Sequence, residues 1–160
     1  MQIRVGFGFD VHQLKDGIDF YLGGVKILHH KGALGHSDAD VLIHAICDAL
    51  LGAANLRDIG FHFPDTSNEY KGIDSKILLS RVIELLKSKG YEIGNIDCTI
   101  CLQNPKINPY IPQMIDVLSS VMKISTDQLS IKATTTEQLG FVGREEGVSA
   151  YSVALIQKKK

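Results

Sequence analysis

Residues 3–12 read Ile3-Arg4-Val5-Gly6-Phe7-Gly8-Phe9-Asp10-Val11-His12. Ile3, Val5, Phe7, Phe9 and Val11 alternate with Arg4, Gly6, Gly8, Asp10 and His12, a period of two that predicts a strand with one apolar face. Successive strand side chains point to opposite faces, so Asp10 and His12 project together from the polar one. A carboxylate and an imidazole so spaced on a rigid strand supply half of a metal site.

Outward from this strand, Phe20 to Ile27, with Gly23-Gly24 at its centre, predicts a hairpin. A glycine-bearing loop to Gly35 follows. A helix is expected from Asp38 to about Asn55, with Ser37 as N-cap and Asp40 three residues on as in a capping box. Its apolar stripe is Val41, Leu42, Ala45, Ile46, Ala49, Leu50 and Ala53. A second helix should run from about Asp74 to Lys89 and stop at Gly90. Ile96 to Gln103 alternates again as a strand. Pro105 and Pro109 punctuate a loop before a third helix, about Tyr110 to Met122. Leu129 to Thr134 and Val148 to Gln157 read as strands, joined by a glycine-rich connection. The sum predicts an α+β fold, one small β-sheet with helices packed on one face, as a single domain over residues 1–160.

Composition narrows the function. The chain has 160 residues, 44% apolar and 22% charged, close to a soluble globular average. A formal net charge of −1 gives no global field for nucleic acid or an acidic membrane, so any anion must be attracted locally. Lys158 to Lys160 read as a solvated tail. Three cysteines, an odd number, argue against a disulfide scaffold. No leader and no long apolar run is visible, so the expectation is a cytoplasmic protein.

Several residues carry candidate chemistry. His44 lies off the apolar stripe of the first helix, beside Asp40 and Asp48. It is either a surface histidine or a third metal ligand, which with Asp10 and His12 leaves one tetrahedral position open, as in catalytic zinc sites. Asp48, one turn on, would orient its second ring nitrogen or touch substrate. His29-His30 reads as polar loop, because adjacent residues seldom converge on one ion. Cys98 and Cys101 lie three apart on a strand and face opposite sides, which favours structural thiols. His36-Ser37-Asp38 sits at a helix start, where backbone N–H groups favour an anion. Thr134-Thr135-Thr136-Glu137 follows a strand end and suits phosphates with a hard cation, or an ST-turn. Arg144 is either a phosphate grip or a surface arginine. His62 has no assignable role.

In order and content these pieces resemble one family. FDVH (9–12), HSDAD (36–40) with His44, DIGFHFPD (58–65), NPK (104–106) and ATTTEQLGFVGREEG (133–147) are similar to the 2-C-methyl-D-erythritol 2,4-cyclodiphosphate synthases over nearly the whole chain. The resemblance implies an enzyme of the non-mevalonate isoprenoid pathway. In it, the 2-phosphate of 4-diphosphocytidyl-2-C-methyl-D-erythritol 2-phosphate attacks the β-phosphorus and CMP leaves. It implies zinc on Asp10, His12 and His44, and a second divalent cation, Mg²⁺ or Mn²⁺, held with Glu137. His36 and Thr135 match positions of transition-state stabilisation. Ser37, Asp58, Gly60, Phe63 and Asp65 match the erythritol phosphate site. Leu102, Asn104 and Lys106 match the cytidine loop. Ala133, Thr134, Thr135 and Thr136 match residues near the nucleotide phosphates, and Phe141 and Arg144 complete the binding segment. A homotrimer with active sites between subunits is implied, as is a central cavity near Phe9 and Arg144 able to hold an isoprenoid diphosphate. Gly35 and Ala39 depart from the family, many members having Ala and Gly there. A zinc hydrolase and a non-enzymatic binding module are the rival readings; retained Asp10, His12, His44 and Glu137 argue against the second.

Overall fold

The computed structural model describes residues 2–159. Its strands are β1 (Ile3–Asp16), β2 (Phe20–Leu22), β3 (Val25–Ile27), β4 (Lys31–Leu34), β5 (Tyr91–Cys101), β6 (Leu129–Thr134) and β7 (Gly147–Lys158). Its α-helices are α1 (Val41–Ala53), α2 (Ile59–His62), α3 (Ser75–Ser88), α4 (Ile111–Met122) and α5 (Gly140–Gly143). Five strands form one sheet in the order β4-β1-β7-β5-β6, and β2 and β3 form a separate hairpin. Within the sheet only β5 and β6 run parallel. Their connection must cross over, and α4 lies in that crossover. α1 packs across β1 and β7, α3 lies beside α1, and α4 beside α3, so the expected mixed arrangement with helices laid on the sheet holds.

The buried face of β1 is the opposite of what its alternation suggests. Ile3, Val5, Phe7, Phe9 and Val11 are between 42% and 65% exposed. The face under α1 is the glycine face. A methyl group at Gly6 would stand 1.9 Å from the Ala49 carbonyl oxygen, and one at Gly8 1.9 Å from that of Ala45. Backbone meets backbone here, and Ala45, Ala49 and Ala53 are the small residues that let it. α1 is therefore buried all round rather than along a stripe: from Val41 to Ala53 only His44, Asp48 and Gly52 are not buried. A helix apolar on every side is a core element.

The start of α1 also differs from expectation. Asp40, not Ser37, is the N-cap, and the helix begins at Val41. The buried Asp40 carboxylate accepts from Ile43 N at 3.1 Å, Gly23 N at 2.9 Å and Gly24 N at 2.7 Å. One carboxylate thus closes the helix end and clamps the β2–β3 hairpin onto it. Both hairpin glycines have positive φ, 61° and 75°, as the tight two-residue turn requires.

The remaining differences have local causes. β1 runs on to Asp16 because Gln13–Asp16 pair with β4, a strand inside what reads as a glycine-bearing loop. β5 begins at Tyr91 rather than Ile96, since an irregularity between Ile93 and Asn95 breaks its alternation. Lys158 is not tail: it ends β7, with Nζ donating to the Lys89 carbonyl at 2.7 Å and lying 4.3 Å from the Tyr91 ring centre. Lys160 lies outside the described residues.

The glycine contact predicts a pair of opposite outcomes. Gly8→Ala should lose about 3 kcal/mol or more, because backbone cannot yield to the new methyl. Gly52→Ala, which meets nothing within 4 Å, should gain up to about 1 kcal/mol from helix propensity. Thermal unfolding of the two variants measures both.

Candidate metal centre and substrate cleft

The close seating of α1 on β1 brings His44 to the two residues at the far end of the strand. Asp10 Oδ2 lies 2.9 Å from His12 Nε2 and 3.0 Å from His44 Nδ1, and the two ring nitrogens are 3.2 Å apart. A tetrahedral zinc with bonds of about 2.0–2.1 Å spaces its ligand atoms roughly 3.3 Å apart, so three donors are gathered at near-bonding geometry. Among the described residues this is the one group of three or more His, Cys, Asp or Glu side chains so gathered. The side chains are 12–26% exposed, partly dry yet reachable.

The carboxylate carries the right charge, and a backbone carbonyl sets the His12 tautomer. Burial raises the pKa of Asp10, but hydrogen bonds and charge from His12 and His44 outweigh it and hold the carboxyl at about 2. Burial lowers that of His12, but the Asp10 carboxylate beside it leaves it raised. His12 Nδ1 lies 3.1 Å from the Leu34 carbonyl, which can only accept, so Nε2 is the free lone pair. One carboxylate and two imidazoles are a donor set that fits a divalent cation such as zinc.

Around this group lies a cleft of about 290 Å³. His12, His36, Ser37, His44, Gly60, Phe63 and Asp65 line it, together with Ile59, Tyr70, Ile73 and Leu78. His36 Nε2 lies 3.1 Å from the Ser67 carbonyl and ties down the segment that carries Tyr70. Asp58 is not in the lining: its Oδ1 accepts from Phe61 N at 2.8 Å and caps α2. Asp48 does not orient His44 either, but accepts from Ile59 N at 2.8 Å and anchors the same turn. His62 lies 2.7 Å from the Leu56 carbonyl through Nε2. Gly35 and Ala39 are coupled. A methyl at Gly35 would stand 2.8 Å from the Ala39 methyl and 3.1 Å from His12 Cε1, so one methyl, not two, fits behind the His12 ring.

The other predicted residues form a second cluster where β5 and β6 end, and none of them lines the cleft. Leu102 is buried and donates from its N–H to the Thr134 carbonyl at 3.0 Å. Asn104 donates to Glu145 Oε1 at 2.7 Å, across a cis Asn104–Pro105 bond, and Lys106 is exposed. Thr134 donates to the Thr135 carbonyl and Thr136 to the Leu139 carbonyl, whereas Thr135 Oγ1 accepts from Glu137 N at 3.3 Å. Ala133 is half-buried, Glu137 is exposed with φ 52°, and Phe141 is 41% exposed. Arg144 is paired with Glu146 through Nε and Nη2 at 3.0 and 3.1 Å. Strand register puts both clusters at one end of the sheet, since His12 pairs with Val148 and Cys101 with both Ser149 and Thr134.

Other sequence expectations resolve simply. His29 and His30 lie with ring centres 4.3 Å apart and planes tilted by 58°, and do not converge on a metal group. Cys98 is buried and Cys101 half-buried, and burial pushes the Cys98 thiol up to about 12, which keeps it protonated. Sequence reasoning misses Ser75, buried beneath His44 with its Oγ 3.0 Å from His44 Nε2. A serine after an Asp N-cap signals only a helix start. Nothing in the sequence singles out Ile73 or Leu78 as cleft lining.

A mixed sheet presenting an Asp-His-His group at the mouth of a cleft defines a small α+β protein with a candidate catalytic metal centre. The chain belongs to the YgbB family, whose pattern matches residues 3–157. It is 65% identical over 158 residues to the 2-C-methyl-D-erythritol 2,4-cyclodiphosphate synthase of Bacteroides fragilis, covering 99% of each chain. It is 65% identical over 153 residues to the enzyme of the same name from Porphyromonas gingivalis, covering 96% of this chain and 94% of that one. The bifunctional IspDF from Campylobacter jejuni matches with a TM-score of 0.96 at 37% identity, over 99% of this chain and 43% of that chain. The IspF of Plasmodium falciparum in its CDP complex matches with a TM-score of 0.87 at 35% identity, over 99% and 97%. The family and enzyme class expected from the sequence are borne out. No helix among the described residues is long and apolar enough to cross a membrane.

Because the Asp10 carboxylate favours protonated His12, proton and metal compete for Nε2 at a higher pH than at a free histidine. Zinc affinity should therefore fall as pH drops into the raised titration range of His12, approaching tenfold per unit once His12 is protonated. Competition with a chromogenic chelator measures it; a flat profile would be the contrary result.

Proposed function

We propose that this chain converts 4-diphosphocytidyl-2-C-methyl-D-erythritol 2-phosphate to 2-C-methyl-D-erythritol 2,4-cyclodiphosphate and CMP. The convergence of Asp10, His12 and His44 beside a cleft of about 290 Å³ is the observation that carries this reading, and relatives bearing that enzyme name over the full chain support it. An oxygen of the 2-phosphate attacks the β-phosphorus, the bond from that phosphorus to the bridging oxygen breaks, and the electron pair leaves on CMP. The nucleophile is already an anion, so no strong base is required, and the central problem is repulsion between phosphates.

Asp10, His12 and His44 would hold zinc, and Glu137 would hold Mg²⁺ or Mn²⁺ with the diphosphate. Such cations supply charge neutralisation and Lewis-acid polarisation of phosphate oxygens. The residues do the rest. His36 and Ser37 take the phosphates on one side, with Gly60, Phe63 and Asp65 around the erythritol unit and Asp58 shaping that turn. Thr135, whose Oγ1 accepts from Glu137 N, keeps its proton to donate to a developing oxyanion, a contribution of about 3 kcal/mol. Holding both phosphates in a ring-closing pose can lower the barrier by roughly 7–11 kcal/mol. The apolar wall of Ile59, Phe63, Ile73 and Leu78 excludes the water that would give a linear product.

The cytidine end is assigned to Leu102, Asn104 and Lys106, with Ala133, Thr134, Thr136, Phe141 and Arg144 along the phosphates. That cluster lies apart from the metal cleft within one chain, which favours a homotrimer in which one copy supplies metal ligands and its neighbour the nucleotide pocket. The exposed apolar row of β1 with Tyr151 and Val153 of β7 is the surface such an assembly would cover. Phe9 and Arg144 are assigned to a central cavity for an isoprenoid diphosphate. Free thiols at Cys47, Cys98 and Cys101 support a cytoplasmic setting.

Purified protein given substrate with Mg²⁺ or Mn²⁺ should yield CMP and the cyclic product by phosphorus NMR; a linear phosphate would point to a hydrolase instead. His12→Ala should lose zinc and cyclisation while the subunit keeps its circular dichroism, and unchanged metal content and turnover would count against the centre. Lys106→Ala should weaken CDP binding in titration calorimetry by about tenfold, in line with one lost charge-assisted contact, while zinc content stays the same. Equal CDP affinity would remove Lys106 from the nucleotide pocket.

A further inference from the structure

The second nitrogen of His44 faces a buried hydroxyl whose own proton is already committed. Ser75 is the first residue of α3 and is fully buried. Its hydroxyl donates to Asp38 Oδ1, and its backbone N–H donates to Asp38 Oδ2 at 3.0 Å. Asp38 Oδ1 also accepts from Asp40 N at 3.2 Å. An ionised carboxylate can only accept, and a serine hydroxyl has one proton. With that proton pointing at Asp38, the Ser75 oxygen offers only lone pairs to His44 Nε2, 3.0 Å away. His44 must then donate from Nε2, which leaves Nδ1 unprotonated and aimed at Asp10 and His12. Ser37 Oγ, 3.1 Å from the same nitrogen, accepts from Ala39 N and remains free to rotate its proton, so it cannot set the direction alone.

We propose that Asp38 and Ser75 act together as a positioning relay that locks His44 in the tautomer able to ligate a metal through Nδ1. This inference rests on the metal reading of Asp10, His12 and His44. The relay joins three segments: the 36–40 loop, the start of α3, and the half-buried His44 of α1. It orients the ligand from Nε2, the place that Asp48 would hold on sequence spacing alone. A ligating histidine whose other nitrogen is held in this way binds its metal more tightly, and loss of such a partner typically lowers metal affinity about 10–100-fold.

The test is a zinc titration of the whole protein, wild type against Ser75→Ala and Asp38→Asn, by chelator competition at fixed pH. The His44 Nε2 proton is followed by nitrogen-edited NMR in the zinc-loaded state. Wild-type protein should bind zinc and show a protected Nε2 proton. Ser75→Ala should bind about 10–100-fold more weakly and lose that protection. Asp38→Asn keeps the side-chain shape, yet its amide can donate to the Ser75 oxygen and turn the hydroxyl proton toward His44. It should therefore weaken zinc at least as much as Ser75→Ala, which mere packing would not produce. Zinc affinity within about twofold of wild type in both variants, with the Nε2 proton still protected, would overturn the relay. A wild-type protein that fails to bind zinc would instead overturn the metal reading itself. Were Ser75→Ala unable to fold, the near-isosteric Asp38→Asn decides.

Discussion

The contact on which everything else depends is between two backbones. Gly6 and Gly8 of β1 lie so near the Ala45 and Ala49 carbonyls of α1 that no side chain fits between them. Such close approach maximises dispersion contact and fixes the height of the helix above the sheet. That height decides whether His44 reaches the carboxylate and imidazole of the strand. With ordinary side chains in the interface, the helix would ride higher and the third donor would withdraw.

A consequence is the division of β1 into two unlike surfaces. Toward α1 it offers glycine, then Asp10 and His12. Away from α1 it offers a row of aliphatic and aromatic side chains, with Phe9 5.0 Å and Phe7 6.4 Å from the Tyr151 ring. Isolated apolar residues on a surface need no explanation, but a contiguous row on one face of a sheet is the kind of surface that assembly buries. The same strand thus sets the geometry of the Asp-His-His group and leaves an exposed apolar face.

Polar groups behind the site are arranged with similar economy. Asp40 caps α1 and clamps the hairpin, Asp48 and Asp58 build the turn before Phe63, and Asp38 orders Ser75. None of these four carboxylates is a member of the Asp-His-His group, yet each fixes a backbone segment beside it. Their hydrogen bonds convert flexible loops into a defined wall, which is what pre-organised binding of charged phosphates requires.

Much of this was legible in the chain itself. The alternation of residues 3–12, the glycine pair at 23–24, the stop at Gly90 after a helix from about Asp74 to Lys89, and the prolines before a helix from about Tyr110 to Met122 predict their elements because backbone periodicity and steric rules are local. The ligand trio was also within reach, since Asp10 and His12 share a strand face and His44 leaves its helix stripe. Other features depend on what packs against what. Which face of β1 is buried, why Asp40 rather than Ser37 ends α1, that Lys31–Leu34 is a strand, and that Ser75 rather than Asp48 meets His44 all follow from contacts between residues far apart in the chain. Sequence alone determined the kinds of element and the donor atoms available. Only the tertiary structure decided which of those atoms meet, because a glycine strip signals permission for close approach without naming the partner that approaches.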